Sequence, residues 1–252
     1  MTKKIKLSSE KEQHFLTSKE VINRLVKEAK LSKTDKIIEI GAGTGYITQE
    51  LVKNADSVLA FEIDKKFKAE LDKIKDKNLE IIYDNALDYS WKGCNKIVSN
   101  IPYSLSEQII TKAINDKIEL MVLIVGENFK EILEKKETKI GIIADLFFDI
   151  KAIMEIDKKN LTPSPRVNSW VVRLKKKTKI IKLNLILQKI VSKEGKIKNA
   201  IMYSLVESGR TKNQAREIIQ SLKIDNLVLE KPVKSITGRF LLLLQERLKE
   251  II

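Results

Sequence analysis

Cysteine and histidine are almost missing from this chain. Cys94 and His14 are the only ones among 252 residues. One cysteine excludes an intramolecular disulfide, and one of each falls short of the several ligands a structural zinc site needs. No apolar run approaches the ~20 residues of a membrane-spanning helix. The basic start, Met1-Thr2-Lys3-Lys4, is followed by no apolar signal core. These absences predict a soluble, cytoplasmic protein with no metal site and no membrane contact. Acidic residues are also scarce against basic ones: 34 against 48, a formal net charge of +14. That excess suits a polyanionic partner, because each neutralised phosphate releases counterions. An abundance of Lys and Ile throughout is a compositional bias that can produce the same excess.

The apolar fraction is 43%, enough for one α/β domain and a smaller second one. Thr17 to Lys30 reads as a helix, with Val21, Ile22, Leu25, Val26 and Ala29 at helical spacing. Short apolar strands are predicted at 37–40, 58–62, 79–83, 96–100 and 120–125. Helices are predicted at 46–53, 65–75 and 105–115. This alternation predicts an α/β, doubly wound, mostly parallel Rossmann-like sheet. It weakens after about Lys139. Two further strands, 147–156 and 170–174, flank the rigid loop Thr162-Pro163-Ser164-Pro165. From about Leu183 the chain is helical in character. The reading is therefore a first domain over 1–177 and a small all-helical domain over 178–252.

Gly41-Ala42-Gly43-Thr44-Gly45 lies between a predicted strand and a helix, where glycines let backbone approach a ligand closely. Glu62, about 20 residues on, ends the next strand and can accept both hydroxyls of a ribose. This pair fits a nicotinamide dehydrogenase as well as a methyltransferase. Two features favour the latter. Tyr46 stands at the third position of the dinucleotide fingerprint, and Glu39 puts a carboxylate near the loop. A negative charge there suits a cationic amino-acid and sulfonium end better than a pyrophosphate.

Asn100-Ile101-Pro102-Tyr103 ends the fourth predicted strand, on the side where open α/β sheets bind ligands. An adenine amine is a poor nucleophile because its lone pair is delocalised into the ring. The Asn100 side-chain oxygen and the Ile101 carbonyl can both accept from that amine and free the lone pair. Pro102 fixes the local backbone, and Tyr103 offers a stacking face for an extruded base.

These residues resemble the ribosomal RNA adenine dimethyltransferases, of the KsgA type and the related erythromycin-resistance (Erm) type, along nearly the whole chain. Gln13-His14-Phe15-Leu16 is similar to an N-terminal element that contacts the cofactor. Glu39 to Gly45 is similar to the cofactor loop, with Glu62 the ribose-binding acid and Ile63, Asn85 and Ala86 in the same site. Asn100 to Tyr103 resembles the catalytic motif, and Pro163 to Leu174 the loop and strand that follow catalysis. The resemblance implies S-adenosylmethionine as cofactor and a monomer acting on ribosomal RNA, in a small-subunit particle. The helical tail, with Lys193, Lys196 and Lys198 as candidate phosphate contacts, favours the small-subunit type over the Erm type. Arg173 and Lys175 to Lys177 are further basic candidates.

Two positions depart from the family. Asn85 stands where Asp usually accepts from the cofactor's adenine amine, and Leu161 where Phe usually packs on the target base. The departures keep two alternatives open: an Erm-type enzyme acting on large-subunit RNA, and a non-catalytic RNA- or DNA-binding assembly or transcription factor of the same fold.

Overall fold

The computed structural model describes residues 14–16 and 18–252. Gln13 and Thr17 lie outside the described residues. Strand β1 (Phe15–Leu16) is followed by helix α1 (Lys19–Ala29). Ser18 caps α1 by accepting from the Val21 N–H, and Val21, Ile22, Leu25 and Ala29 form its buried stripe. Lys30 ends it in the left-handed region (φ 45°).

The main sheet draws on β2 (Lys36–Ile40), β3 (Ser57–Phe61), β4 (Leu79–Ile82), β5 (Lys96–Asn100), β6 (Leu120–Gly126), β7 (Phe148–Ile156) and, beyond the short β8 (Leu161–Thr162), β9 (Ser169–Lys176). Its order is β4-β3-β2-β5-β6-β9-β7. The first five strands pair in parallel and β9 runs antiparallel to β6. The strand order reverses between β2 and β5, which opens a crevice beyond their carboxyl ends. Phe15 and Leu16 pair with Thr162 and Leu161 in a separate two-stranded sheet, so β1 lies against β8.

Helices α2 (Tyr46–Asn54), α4 (Ser106–Asn115) and α5 (Glu127–Lys135) occur, but the helix expected over 65–75 is cut short. A 3-10 turn over Lys65–Phe67, capped by Asp64, leads into the four-residue α3 (Lys68–Leu71). The reason is a lack of apolar surface. Phe67 and Leu71 are its buried residues, and lysines occupy most other positions.

The chain's contacts group into two compact units. One comprises residues 1–131 and 149–176. The other comprises 132–148 and 177–252, so the segment Ile132–Phe148, which the sequence reading left within the first domain, belongs with the helices. Within that second unit lie α6 (Lys139–Phe147), α7 (Lys182–Ser192), α8 (Ile197–Glu207), α9 (Lys212–Ser221), α10 (Asn226–Leu229) and α11 (Gly238–Ile251). Helix α6 is buried nearly all round, which demands apolar neighbours on every side. It meets α7 and α11. Among the described residues no helix is long and apolar enough to cross a membrane.

Gly238 permits the approach of α11 to the turn before α6. A Cβ built there would stand 1.7 Å from the Glu137 carbonyl oxygen. Gly238→Ala is therefore expected to destabilise the helical unit by roughly 3 kcal/mol, the upper range for overpacking. Thermal unfolding followed by circular dichroism checks this, and an unchanged midpoint contradicts it.

Candidate active site

The crevice begins where the β2–β5 ladder stops. Backbone pairing runs through Ile37 with Lys96 and Ile38 with Ile97. Beyond it the fully buried Ser99 side chain takes over. Its hydroxyl accepts from the Ile40 N–H at 3.1 Å and donates to the Ile40 carbonyl at 2.5 Å. A side chain in place of backbone lets the strands separate while both polar groups of Ile40 stay satisfied.

The cleft is open to solvent and, its mouth included, encloses about 790 Å³ of empty space. Gly41, at its base, has φ 78° and donates to the Phe61 carbonyl at 2.8 Å. A Cβ on Gly41 would stand 3.7 Å from the Asn100 carbonyl oxygen, in the space a ligand would cross. Gly43 and Gly45 do not line the cleft. Gly43 donates its N–H to Glu62 Oε2 at 2.8 Å, and a Cβ on Gly45 would collide with Ile74 (2.5 Å). Glu62 Oε1 also accepts from the Asp64 N–H at 2.8 Å. The Glu62 carboxylate therefore holds the glycine loop, and each oxygen keeps a further lone pair. Burial pushes its pKa upward, against the two backbone N–H groups that lower it.

Asn100, Ile101, Pro102 and Tyr103 all line the cleft, together with His14, Ile63, Asn85 and Ala86. Asn100 Nδ2 donates to the His14 carbonyl at 2.6 Å. That bond fixes which way the amide faces and leaves Oδ1 as the acceptor. His14 Nδ1 donates to the Pro163 carbonyl at 2.7 Å, and its ring lies 5.9 Å from that of Tyr103. Ile63 is 69% exposed, an apolar side chain at the rim with no core to cover it.

Several expected contacts lie elsewhere. Leu161 does not line the cleft: it is buried in the core cluster that also holds Leu16, because β8 pairs with β1. Leu16 is likewise core, and Phe15 is described through its backbone pairing. Asn85 Oδ1 accepts from the Leu87 N–H at 3.2 Å and Nδ2 donates to Asp88 at 3.0 Å, so this side chain also caps a turn. In the helical unit Lys193 pairs with Glu207 and Lys196 with Glu230, while Lys198 borders a groove with Arg216. Arg173 pairs with Glu28 at 2.9 Å. The exposed lysine pairs contribute little and open readily, whereas the Arg173–Glu28 pair is part-buried. Asp84, Phe61, Phe67 and Leu105, none of them among the predicted site residues, complete the cleft wall, and Ser169, expected only as part of the Pro163 to Leu174 element, has its hydroxyl 2.5 Å from that of Tyr103. Among the described residues no cluster of His, Cys, Asp or Glu could hold a metal.

Glu39 differs from its expected state. It lies 1% exposed behind the glycine loop, where Oε2 accepts from the Thr48 hydroxyl at 2.6 Å and Oε1 has no partner. Burial, with a smaller push from Glu62, raises its pKa to about 8. The negative charge read from the sequence is thus mostly protonated near neutral pH. An orphaned buried acceptor fits a cationic ligand group, whose arrival would favour ionisation. The same shift links stability to pH. The ordinary value is 4.5, so between about 4.5 and 8 the unfolded chain loses this proton while the folded one keeps it, and stability falls as pH rises. Glu39→Gln is expected to gain on the parent by up to about 1.4 kcal/mol per pH unit across that window. Urea unfolding at both ends of the window measures it, and a gap that does not change with pH contradicts it.

Comparison with known proteins places this geometry. Residues 4–239 match the family model of ribosomal RNA adenine dimethylase. A probable ribosomal RNA small subunit methyltransferase A from Methanopyrus kandleri is 30% identical over 239 residues, covering 88% of this chain and 85% of that protein. Two solved structures share the fold. A dimethyladenosine transferase from Plasmodium falciparum has TM-score 0.66 and 22% identity, covering 95% of this chain and 99% of that one. The 23S rRNA methyltransferase ErmE has TM-score 0.62 and 20% identity, covering 93% and 99%. With a doubly wound sheet, a cleft at its strand-order reversal and a match along most of its length, this chain belongs to the ribosomal RNA adenine dimethylase family.

Proposed function

We propose that the chain moves methyl groups from S-adenosylmethionine to the exocyclic amine of adenosines in small-subunit ribosomal RNA, dimethylating them, as a cytoplasmic monomer. The observation that carries the reading is the Asn100 amide, anchored through Nδ2 to the His14 carbonyl at the mouth of the cleft. The Pro102 carbonyl is taken by the Leu105 N–H at 3.0 Å. Asn100 Oδ1 and the Ile101 carbonyl then serve as the two acceptors for the target amine. Accepting from both N–H groups draws the nitrogen toward tetrahedral geometry and localises its lone pair. Acceptors held before the substrate arrives need no reorganisation in the transition state.

The bound cofactor supplies an electrophilic methyl group. Glu62 would take the ribose hydroxyls on its remaining lone pairs, Asn85, Ala86 and Ile63 would line the adenine side, and Glu39, behind the loop that Gly41, Gly43 and Gly45 shape, would answer the positive end. His14, in the cleft wall, would border the cofactor. With the cofactor held there, Asn100 Oδ1 and the Ile101 carbonyl would aim the amine at the methyl group, and the surplus proton of the amine would pass to solvent. Tyr103 supports the extruded base. Lys193, Lys196 and Lys198 of the helical unit meet RNA phosphates, which requires their exposed partners, Glu207 and Glu230, to yield.

The name of the Methanopyrus kandleri relative supports the small subunit. The likeness to ErmE is one of fold and does not favour the large one. Tritiated methyl transfer to purified immature small subunits and to large subunits separates the two. Asn100→Ala is expected to slow transfer by about 10²-fold or more. Asn100→Asp is expected to be slow too, although a carboxylate is the stronger acceptor, because it cannot donate to the His14 carbonyl. A native rate for the Asp variant contradicts the anchoring role.

A further inference from the structure

Gly126 and Ser169 face each other across the antiparallel ladder of β6 and β9. Directly opposed residues lie on one face of a sheet, and their neighbours Val125 and Trp170 project from the other. The Tyr103 ring rests on that pair. A Cβ on Gly126 would stand 3.0 Å from Tyr103 Cδ2 and 3.2 Å from Cε2, so the ring would have to give by a few tenths of an ångström. The Tyr103 hydroxyl meets Ser169 Oγ, on a side chain with no exposure. Glycine supplies the room and serine the polar anchor, at one rung of the sheet.

We propose that Gly126 and Ser169 are positioning residues for the methyl-transfer step, setting the ring plane of Tyr103 against which the target adenine stacks. The inference rests on the reading of Tyr103 as the stacking surface. Tyr103 opens a 3-10 turn just past β5, and two side-chain torsions separate its ring from the backbone. Left unanchored, the ring could swing between rotamers and the base would follow it. Tied at its far end to a buried hydroxyl and seated on a bare backbone, it keeps one orientation. An ångström of misplacement at a reacting nitrogen is costly, so the effect belongs in kcat rather than in RNA affinity. The β-sheet itself has no need of a hydroxyl at 169, since strand pairing uses backbone groups.

Transfer of tritiated methyl groups to immature small-subunit particles tests this in a double-variant cycle. Ser169→Ala and Tyr103→Phe are each expected to lower kcat by about tenfold, the scale of one buried hydrogen bond. KM for the particle should stay within about twofold, and the double variant should be no slower than either single one, because the same bond is lost. Losses that multiply to about a hundredfold in the double variant, or native kcat for Ser169→Ala, overturn the role of serine. Gly126→Ala tests the seat separately. It should lower kcat without moving KM, and native kcat there overturns the role of glycine. If it fails to fold, the serine cycle still decides the proposal. Tyr103→Ala tells the two levels apart. Native kcat in that variant sinks the stacking reading itself, whereas a large loss beside native Ser169→Ala sinks only the positioning claim.

Discussion

The divergence of β2 and β5 after Ile38 and Ile97 is the constraint on which the site depends. Up to that point the strands are an ordinary parallel pair. Beyond it Ser99 satisfies both polar groups of Ile40 through its side chain, and the sheet can open without an unpaired backbone group in its core. Two of the chain's site segments then lie along the two lips, with Glu62 after β3 and Asn85 after β4 beside them. The glycine loop follows β2, and Asn100 to Tyr103 follow β5. The short β1–β8 sheet brings the His14 carbonyl to Asn100 and the His14 ring to the Pro163 carbonyl.

In the proposed reading, buried carboxyl groups lie on the cofactor side and neutral acceptors on the substrate side. Burial holds Glu39 and Glu62 above their ordinary pKa, and Glu39, raised to about 8, carries little negative charge near neutral pH. A cationic ligand beside Glu39 would favour its ionised state. On the other lip the acceptors are an amide and carbonyls, which do not titrate. This division suits a reaction driven by positioning: the nucleophile is activated by hydrogen bonds, and the proton leaves afterwards.

Much of this was legible in the residues because it is local. Gly41 to Gly45, Glu62 and Asn100 to Tyr103 are short contiguous signals at the ends of strongly apolar strands, and strand–helix alternation places them on one edge of an α/β sheet. What was hidden depends on partners distant in the chain. Leu161 looks like a cleft residue until β8 pairs with β1 and buries it. The charge on Glu39 cannot be read without its depth. The opposition of Gly126 and Ser169 exists only through the register of two antiparallel strands. The segment Ile132–Phe148 follows the sheet strands in sequence, yet its all-round apolar helix groups with the C-terminal helices. The cut-short helix after Asp64 shows the opposite error, in which spacing alone suggested a helix that had too little apolar surface to hold.

The central claim is that this cleft dimethylates adenosine in small-subunit ribosomal RNA. Mass spectrometry of ribosomal RNA from a strain lacking the gene, with and without the chain restored, tests it most directly. The account predicts that dimethylated adenosines vanish from the small-subunit RNA of the deletion strain. They should return with the native chain and not with Asn100→Ala. Unchanged modification of the small subunit on deletion, or a loss confined to the large subunit, would contradict it.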